Sequence, residues 1–343
     1  MFYVIVIIIS ILAICLELGL FKKKNPIETF VSTTEPILDI SHQFKDWDQT
    51  NIQFLDSKPI AWVYIPIEIN SKSWLDFMSR RNQQNISPIE YTCLETIYKH
   101  LHRDFNIVFF NQKHIEGLLP HHKEHFAKAN DSYVYTSLLK YSLLEKYGGI
   151  YIPSDTLFLK NIECLLKPYY LGYSITVLDN NLNYSDNKGV DTSILMAKPG
   201  HQIIKKCLEY TISNLDKFQN AFSYREIMNA LYNEILEVDN RAKHISIGLV
   251  KNSEGKYIKE GDLFSHNKLL FREDICFVPV RLDHIDKKLN YNYIKHLSRE
   301  DLVNGSMEIS RLFRAGLGIS VNIDTELGDS NFYAYGKLGV IHS

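Results

Sequence analysis

The spacing of apolar positions changes several times along this chain, and each change marks an element. Residues 1–20, "MFYVIVIIISILAICLELGL", are apolar almost without interruption, and Glu17 is their only charge. Residues 22–57 then turn polar and show little periodicity, as in "KKKNPIETFVSTTEP" and "SHQFKDWDQTN". From Ile60 the run "IAWVYIPIEI" is rich in β-branched and aromatic residues, which predicts a strand. In "SPIEYTCLETIYKHLH", Ile89, Cys93, Ile97 and Leu101 fall four apart on one helical face. Ser87 is placed to cap that helix, and Pro88 suits its first turn. "FNIVFF" at 105–110 reads as a short buried strand. Strand, helix and strand in this order make a βαβ unit, which predicts a parallel sheet covered by helices.

A second helix is predicted through "DSYVYTSLLKYSLLEKY", stopped by Gly148 and Gly149. "IYI" resumes as a strand. "YYLGYSITVL" at 169–178 and "TSILMA" at 192–197 read as further strands around the polar loop "DNNLNYSDNKGV". Helical segments are expected near 200–217 and 223–238. The last hundred residues read as short strands such as "ICFVPV" alternating with polar turns. No internal repeat or low-complexity tract interrupts the chain.

With 343 residues, 45% of them hydrophobic and 23% charged, the chain is long enough to bury a sizeable core. The formal net charge of −2, with no long basic block, argues against a nucleic-acid partner bound through its phosphates. About 20 apolar residues match the hydrocarbon thickness of a bilayer, so 1–21 is expected to be a single membrane-spanning anchor. The alternative, a cleaved signal peptide, lacks the basic n-region and the small-residue cleavage site. The remainder divides into a stem at 22–57 and one folded domain at 58–343. Lys22, Lys23 and Lys24 after the span favour a cytosolic domain by the positive-inside rule. The sequons at Asn85, Asn130, Asn183 and Asn304 leave a luminal domain open. Cys15 lies in the apolar run, and Cys93, Cys164, Cys207 and Cys276 are far apart with no CxxC pair, which reads as buried free thiols.

The candidate chemistry is concentrated in one place. "HHKEH" at 121–125 has no obvious distant segment to complete a metal site and reads as a solvated helix start. "DHIDKK" at 283–288 reads as a surface turn. No GxGxxG, P-loop, GxSxG or HExxH motif is present. Asp155, by contrast, follows the strand "GIYI", and ligands of α/β sheets bind beyond the carboxyl ends of strands. A carboxylate there suits a divalent cation, which in turn suits a diphosphate leaving group.

"TSLLKYSLLEKYGGIYIPSD" resembles the core of the DXD-containing sugar-binding glycosyltransferases, in which Ser-Asp, two residues and Arg-Tyr precede Tyr-Gly-Gly-x-Tyr-x-Asp-x-Asp. "VDTSILMAKPGHQIIKKCLE" is similar to that family's segment ending in Pro-Gly-His-Pro. "SWLDFMSRRNQQNISPIEYTCLETIYKHLHRDFNIVFFNQ" resembles divergent members encoded by large DNA viruses. The similarity spans about 60–210.

The resemblance implies a GT-A type α/β fold, a Rossmann-like and mostly parallel sheet with helices on both faces. It also implies transfer of a sugar from a nucleotide-sugar donor to a glycan or glycoconjugate acceptor, with retention of configuration and a divalent metal, Mn²⁺ or Mg²⁺. Asp155 would be the metal ligand, and Ser137, Lys140 and Tyr151 would flank the donor. Asp191 and Thr192 would lie near the acceptor as catalytic candidates, and Gly148 and Gly149 would let helix and strand pack closely. Three positions depart from the family pattern. Pro153 replaces the first acid of the pair, Ser137 replaces the helix acid, and Lys140 replaces its arginine, keeping the charge but not the bidentate fork. The implied alternative is a catalytically degenerate relative that keeps the fold as a carbohydrate-binding or structural membrane protein.

Overall fold

In a computed structural model of the chain, the residues described are 58–66, 87–129, 131–179, 190–217, 221–252, 254–282, 293–294 and 297–319. The expected anchor and stem, the sequons at Asn85, Asn130 and Asn183, and the turn at 283–288 lie outside them. Asn304 is exposed near the end of a short helix.

Strand β1 (Ile60–Tyr64) leads to helix α1 (Pro88–Leu101) and strand β2 (Asn106–Phe110). As the pattern predicts, Ser87 accepts from the Glu90 amide at 3.3 Å, Pro88 opens the helix, and Ile89, Cys93, Ile97 and Leu101 are all buried. Helices α2 (Gln112–Leu118) and α3 (Lys123–Lys128) are short and precede the long α4 (Ser132–Tyr147). Asp131 caps α4 by accepting from the amides of Tyr133 and Val134. Next come β3 (Gly149–Pro153), β4 (Thr156–Phe158), α5 (Leu166–Tyr170), β5 (Ser174–Asp179) and β6 (Val190–Ala197). The described chain continues through α6 (Gln202–Ser213), α7 (Ala221–Val238), β7 (Ala242–His244), α8 (Glu260–Leu263) and β8 (Phe277–Pro279). It closes on α9 (Arg299–Asn304) and α10 (Glu308–Leu317).

Six strands form one sheet in the order β2-β1-β3-β6-β5-β7. β1 runs parallel to both β2 and β3, β5 runs parallel to β7, and β6 is antiparallel to both of its neighbours. The mostly parallel α/β sheet expected from the βαβ pattern is therefore present. A second, two-stranded antiparallel sheet joins β4 to β8.

Side chains alternate across a strand, so Trp62 and Val63 point to opposite faces, yet both are buried. Ile150, Tyr151 and Ile152 behave in the same way, which means both faces at the sheet's centre are covered. One core packs Trp62, Tyr151 and Leu195 with Leu138 of α4, Ile203 of α6 and Tyr232 of α7. The other packs Ile89 and Cys93 of α1 with Leu157, Val278 and the α10 residues Ile309, Leu312 and Phe313.

The Gly148–Gly149 pair sits where α4 turns directly into the central strand. Gly148 has φ 68° and Gly149 φ 96°, both in the left-handed region that favours glycine. The Gly148 carbonyl accepts from Trp62 Nε1 at 2.8 Å, which locks the turn onto β1.

Two expectations are corrected. Residues 169–170 end helix α5, and only 174–179 form a strand. The C-terminal hundred residues include, among those described, three helices, α8, α9 and α10, besides the short β8 within "ICFVPV". Ser298 and Asp301 form a capping box at the start of α9, a signal that was available in the sequence.

Candidate active site

The carboxyl edge of the sheet gathers the polar groups. Tyr64 ends β1 opposite Pro153, and Ser154 and Asp155 form the turn from β3 into β4. Because β6 runs antiparallel to β3, its first residues, Val190 to Thr192, lie at this same edge. The start of α1 also arrives here, where Ser154 Oγ donates to Glu90 Oε1 at 2.6 Å.

Asp155 is half-buried, and its Oδ2 accepts from the Leu282 amide at 2.8 Å, while its own carbonyl accepts from Val280 N at 2.9 Å. Asp191 is fully buried. Its Oδ1 accepts from the Ser193 amide at 2.8 Å and from the Ser193 hydroxyl, and its Oδ2 lies 3.3 Å from the Arg281 guanidinium. Two consecutive residues just beyond β8, Arg281 and Leu282, thus hold the Asp191 and Asp155 carboxylates of this edge. Arg281 has φ 58°, the one positive value outside glycine among the described residues. A non-glycine residue held there is strained, and it persists where its surroundings over-determine it.

The electrostatics follow from this crowding. Burial, reinforced by the charges of Asp155 and Glu90, pushes the Cys93 thiol well up. Burial also pushes the Tyr151 hydroxyl up, with Tyr64 and Asp155 adding to it. Tyr64 is raised by burial and then by the neighbouring Tyr135, whose ring lies 6.3 Å away. All three groups stay neutral near pH 7. Tyr64, Tyr135, Phe126 and Phe110 form a chain of ring contacts, with centroids 5.2 to 6.3 Å apart, at the same edge.

Ser137 and Lys140 lie buried on α4. The Lys140 ammonium donates to the Thr192 carbonyl and sits 4.8 Å from the Tyr141 ring centroid, so it ties α4 to the start of β6. Thr192 bonds through its amide and its hydroxyl to Asn229 Oδ1 of α7, both at 3.3 Å. The edge therefore brings together Tyr151, Asp155, Asp191, Thr192 and Lys140, whereas Gly148 and Gly149 lie at the far end of β3. Arg281, Tyr64 and Tyr135 were not singled out from the sequence. Arg281 carries no periodic or motif signal, since its partner Asp191 lies 90 positions away.

Among the described residues, no three His, Cys, Asp or Glu side chains gather closely enough to hold a metal ion, and the "HHKEH" cluster is no exception. A Mg²⁺-type cation is commonly held by one or two carboxylates and completed by substrate phosphates. Among the described residues, the oxygen donors do not fit a cation held by protein ligands alone.

Residues 88–172 match the family model of the glycosyltransferase sugar-binding region containing DXD motif. Over these residues the chain is similar to a DXD-type sugar-binding region. The match runs from the first residue of α1 to just short of β5, about a quarter of the sequence, and it includes Ser137, Lys140, Tyr151 and Asp155. Among solved structures, "PaToxG Glycosyltransferase" is similar at 12% identity and a TM-score of 0.34, over 76% of this chain and 87% of that one. No curated protein matches the chain. The matched segment thus contributes Asp155, while Asp191 and Arg281 come from outside it.

One test isolates the Arg281–Asp191 pair. Arg281→Met should destabilise the domain by roughly 3–5 kcal/mol, because Asp191 would stay buried without this guanidinium. Arg281→Gly should recover about 1 kcal/mol of that, since glycine accepts the left-handed backbone without strain. Urea midpoints measure both changes, and an Arg281→Met midpoint equal to wild type would show the pair to be idle.

Proposed function

We propose that this protein is a glycosyltransferase that moves a sugar from a nucleotide-sugar donor to a glycan or glycoconjugate acceptor. The observation that carries this reading is the placement of Asp155, inside the matched sugar-binding region, at the carboxyl edge of the sheet beside the buried Asp191. Asp155 would hold a divalent cation, Mn²⁺ or Mg²⁺, which supplies neutralisation of the charge that builds on a departing diphosphate. The chain's own residues do the rest. The Leu282 amide fixes the rotamer of Asp155, and the guanidinium of Arg281 offsets the charge of Asp191. The neutral hydroxyls of the half-buried Tyr64 and Tyr135 would present donors and ring faces where a sugar or a base would lie, with Tyr151 buried behind them. Retention of configuration and the assignment of Asp191 and Thr192 to the acceptor side belong to the same reading.

A second reading has its own support. Lys140 stands where the family has arginine, and its ammonium is directed to the Thr192 carbonyl. This favours a fold repurposed for carbohydrate binding without turnover. Thermal shift with a panel of nucleotide sugars, with and without Mn²⁺, separates the two. The transferase should melt higher with one donor plus metal, by mass action, and should release free nucleoside diphosphate. Stabilisation by glycans alone, with no donor effect, would overturn the transferase reading.

The anchor at 1–21 is proposed on its apolar run alone, with the cytosolic orientation resting on Lys22, Lys23 and Lys24. Among the described residues, no helix is long and apolar enough to cross a membrane. The full chain should remain in the pellet after carbonate extraction, and recovery of the intact chain in the supernatant would refute the anchor. Glycan at any of the four sequons would reverse the orientation.

A further inference from the structure

The edge of the sheet opposite the carboxylates carries an apolar corner. Val238 and Leu171 are the two most exposed large hydrophobic side chains among the described residues, at 88% and 68%, and Tyr170 is 52% exposed. All three stand at the edge where β5 and β7 begin and β6 ends, since β5 runs parallel to β7 and antiparallel to β6. Hydrogen bonds join the segments around them. The Ser174 amide donates to the Arg241 carbonyl at 2.8 Å, and Lys198 Nζ donates to the Tyr170 carbonyl at 2.8 Å. His201 Nε2 donates to the Gly172 carbonyl at 3.2 Å. Cys164, in the surface turn Glu163–Leu165 just before α5, is exposed as well, which corrects the reading of these cysteines as buried.

The charge around the corner is mostly of one sign. Segments 167–173, 198–201 and 238–243 carry Lys167, Lys198, Arg241 and Lys243 against one acid, Asp239, with Glu237 just outside. Arg241 already engages that acid, through Nε at 3.1 Å and Nη2 at 2.9 Å. Lys167 and Lys243 are exposed. Apolar side chains standing out of a basic rim match the interface of an anionic bilayer, where lysines meet the headgroups and the apolar tips reach the acyl boundary. The chain also enters the domain at this edge. Lys58 lies two residues before Ile60, and the next residue, Ala61, pairs with Ile150 at the start of β3. Residues 1–57, which include the proposed anchor, therefore join the domain on the side of the corner.

We propose that Tyr170, Leu171 and Val238, with the basic residues around them, dock the domain on an anionic lipid surface. A second copy of the chain is the competing occupant, and a symmetric pairing would set two basic rims against each other at an electrostatic cost. Docking at this corner turns the candidate site away from the lipid. Asp155 lies six residues beyond Gly149, about 20 Å along the strand direction at roughly 3.3 Å per residue. The site then stays open to water and to an acceptor that stands clear of the bilayer. The corner shares no residue with the carboxylate edge, so the docking does not depend on the transferase reading.

The test reconstitutes the full chain in vesicles of phosphatidylcholine, alone or mixed with phosphatidylserine, each with a trace of a photoreactive diazirine lipid. After irradiation, peptide mass spectrometry locates the lipid adducts. Adducts on 168–173 and 236–243 are expected in the anionic vesicles, about fivefold or more above those in phosphatidylcholine alone. The triple variant Tyr170→Ser, Leu171→Ser, Val238→Ser should lose them and keep the wild-type melting temperature, because all three side chains are exposed. Residues 1–21 serve as the internal reference. Adducts on the corner without any on 1–21 would refute the anchor and support the docking. Adducts confined to 1–21, corner adducts equal in the two vesicle types, or cross-links between two copies at the corner in place of lipid adducts would overturn the proposal. The wild-type map decides the matter even if the variant fails to fold.

Discussion

Gly149→Ala is expected to abolish folding of the domain. A Cβ at this position would sit 2.1 Å from the Ile60 carbonyl oxygen and 3.0 Å from its carbonyl carbon, and the backbone φ of +96° is one that side chains rarely tolerate. The obstacle is main chain, so no side-chain rotation can relieve it. Ile60 is also fixed on its other side, because its register partner is Asn106 of β2. Moving it would disturb the three parallel strands at once. A loss above roughly 5 kcal/mol is comparable with the whole stability of an ordinary domain. Gly200→Ala is the matched control. Its φ of +67° is similarly left-handed, but nothing lies within 4 Å of the added carbon, so only the backbone cost of about 1–2 kcal/mol should appear. Soluble yield and far-UV circular dichroism report both variants. A folded Gly149→Ala protein with a near-wild-type urea midpoint would mean that β3 does not pass so close to β1.

The second large effect is on ligand binding. Asp155→Asn should remove metal-dependent donor binding while leaving the fold within about 1 kcal/mol of wild type. The amide oxygen of asparagine can still accept from the Leu282 amide, so the structural bond survives and only the charge is lost. Asp155→Ala removes that acceptor too and should cost about a further 1 kcal/mol of stability. Comparing the two variants separates a metal ligand from a turn residue. If Asp155 serves only the turn, Asp155→Asn will bind donor as wild type does.

Restoring the family's acids tests the same site in the other direction. Pro153→Asp places a carboxylate at the half-buried end of β3, and Ser137→Asp places one in a buried position one turn before Lys140. Each well-paired carboxylate is worth roughly 1.5–3 kcal/mol, so donor affinity should rise about tenfold or more for each acid. Weaker binding in the restored variants would mean that the pocket is built around a different donor. No metal-dependent binding in wild type or in the double variant would leave the carbohydrate-binding relic as the surviving reading.

What the sequence determined alone was local. Ser87 and Pro88 began α1, the four-residue spacing from Ile89 to Leu101 set its buried face, and the paired glycines marked the passage from α4 into β3. The placement of Asp155 just beyond a central strand followed from the same signals, because a strand end and the residue after it are set by neighbours in the chain. The helices α9 and α10 were misread because elements of six and ten residues span too few turns for a 3.6-residue period to stand out from alternation. Residues 169–170 were read into a strand because aromatic residues favour strands, and the packing of the short α5 overrode that preference. The tertiary structure alone decided the partners. Lys140 could be read as a weakened arginine, but only the approach of β6 turns its ammonium onto the Thr192 carbonyl. Arg281 reaches Asp191 because the start of β6 and the segment after β8 are brought together from distant parts of the chain. No spacing rule encodes such meetings: a pattern of 2.0 or 3.6 residues reports which way a side chain faces, and the packing of whole elements determines what it meets there.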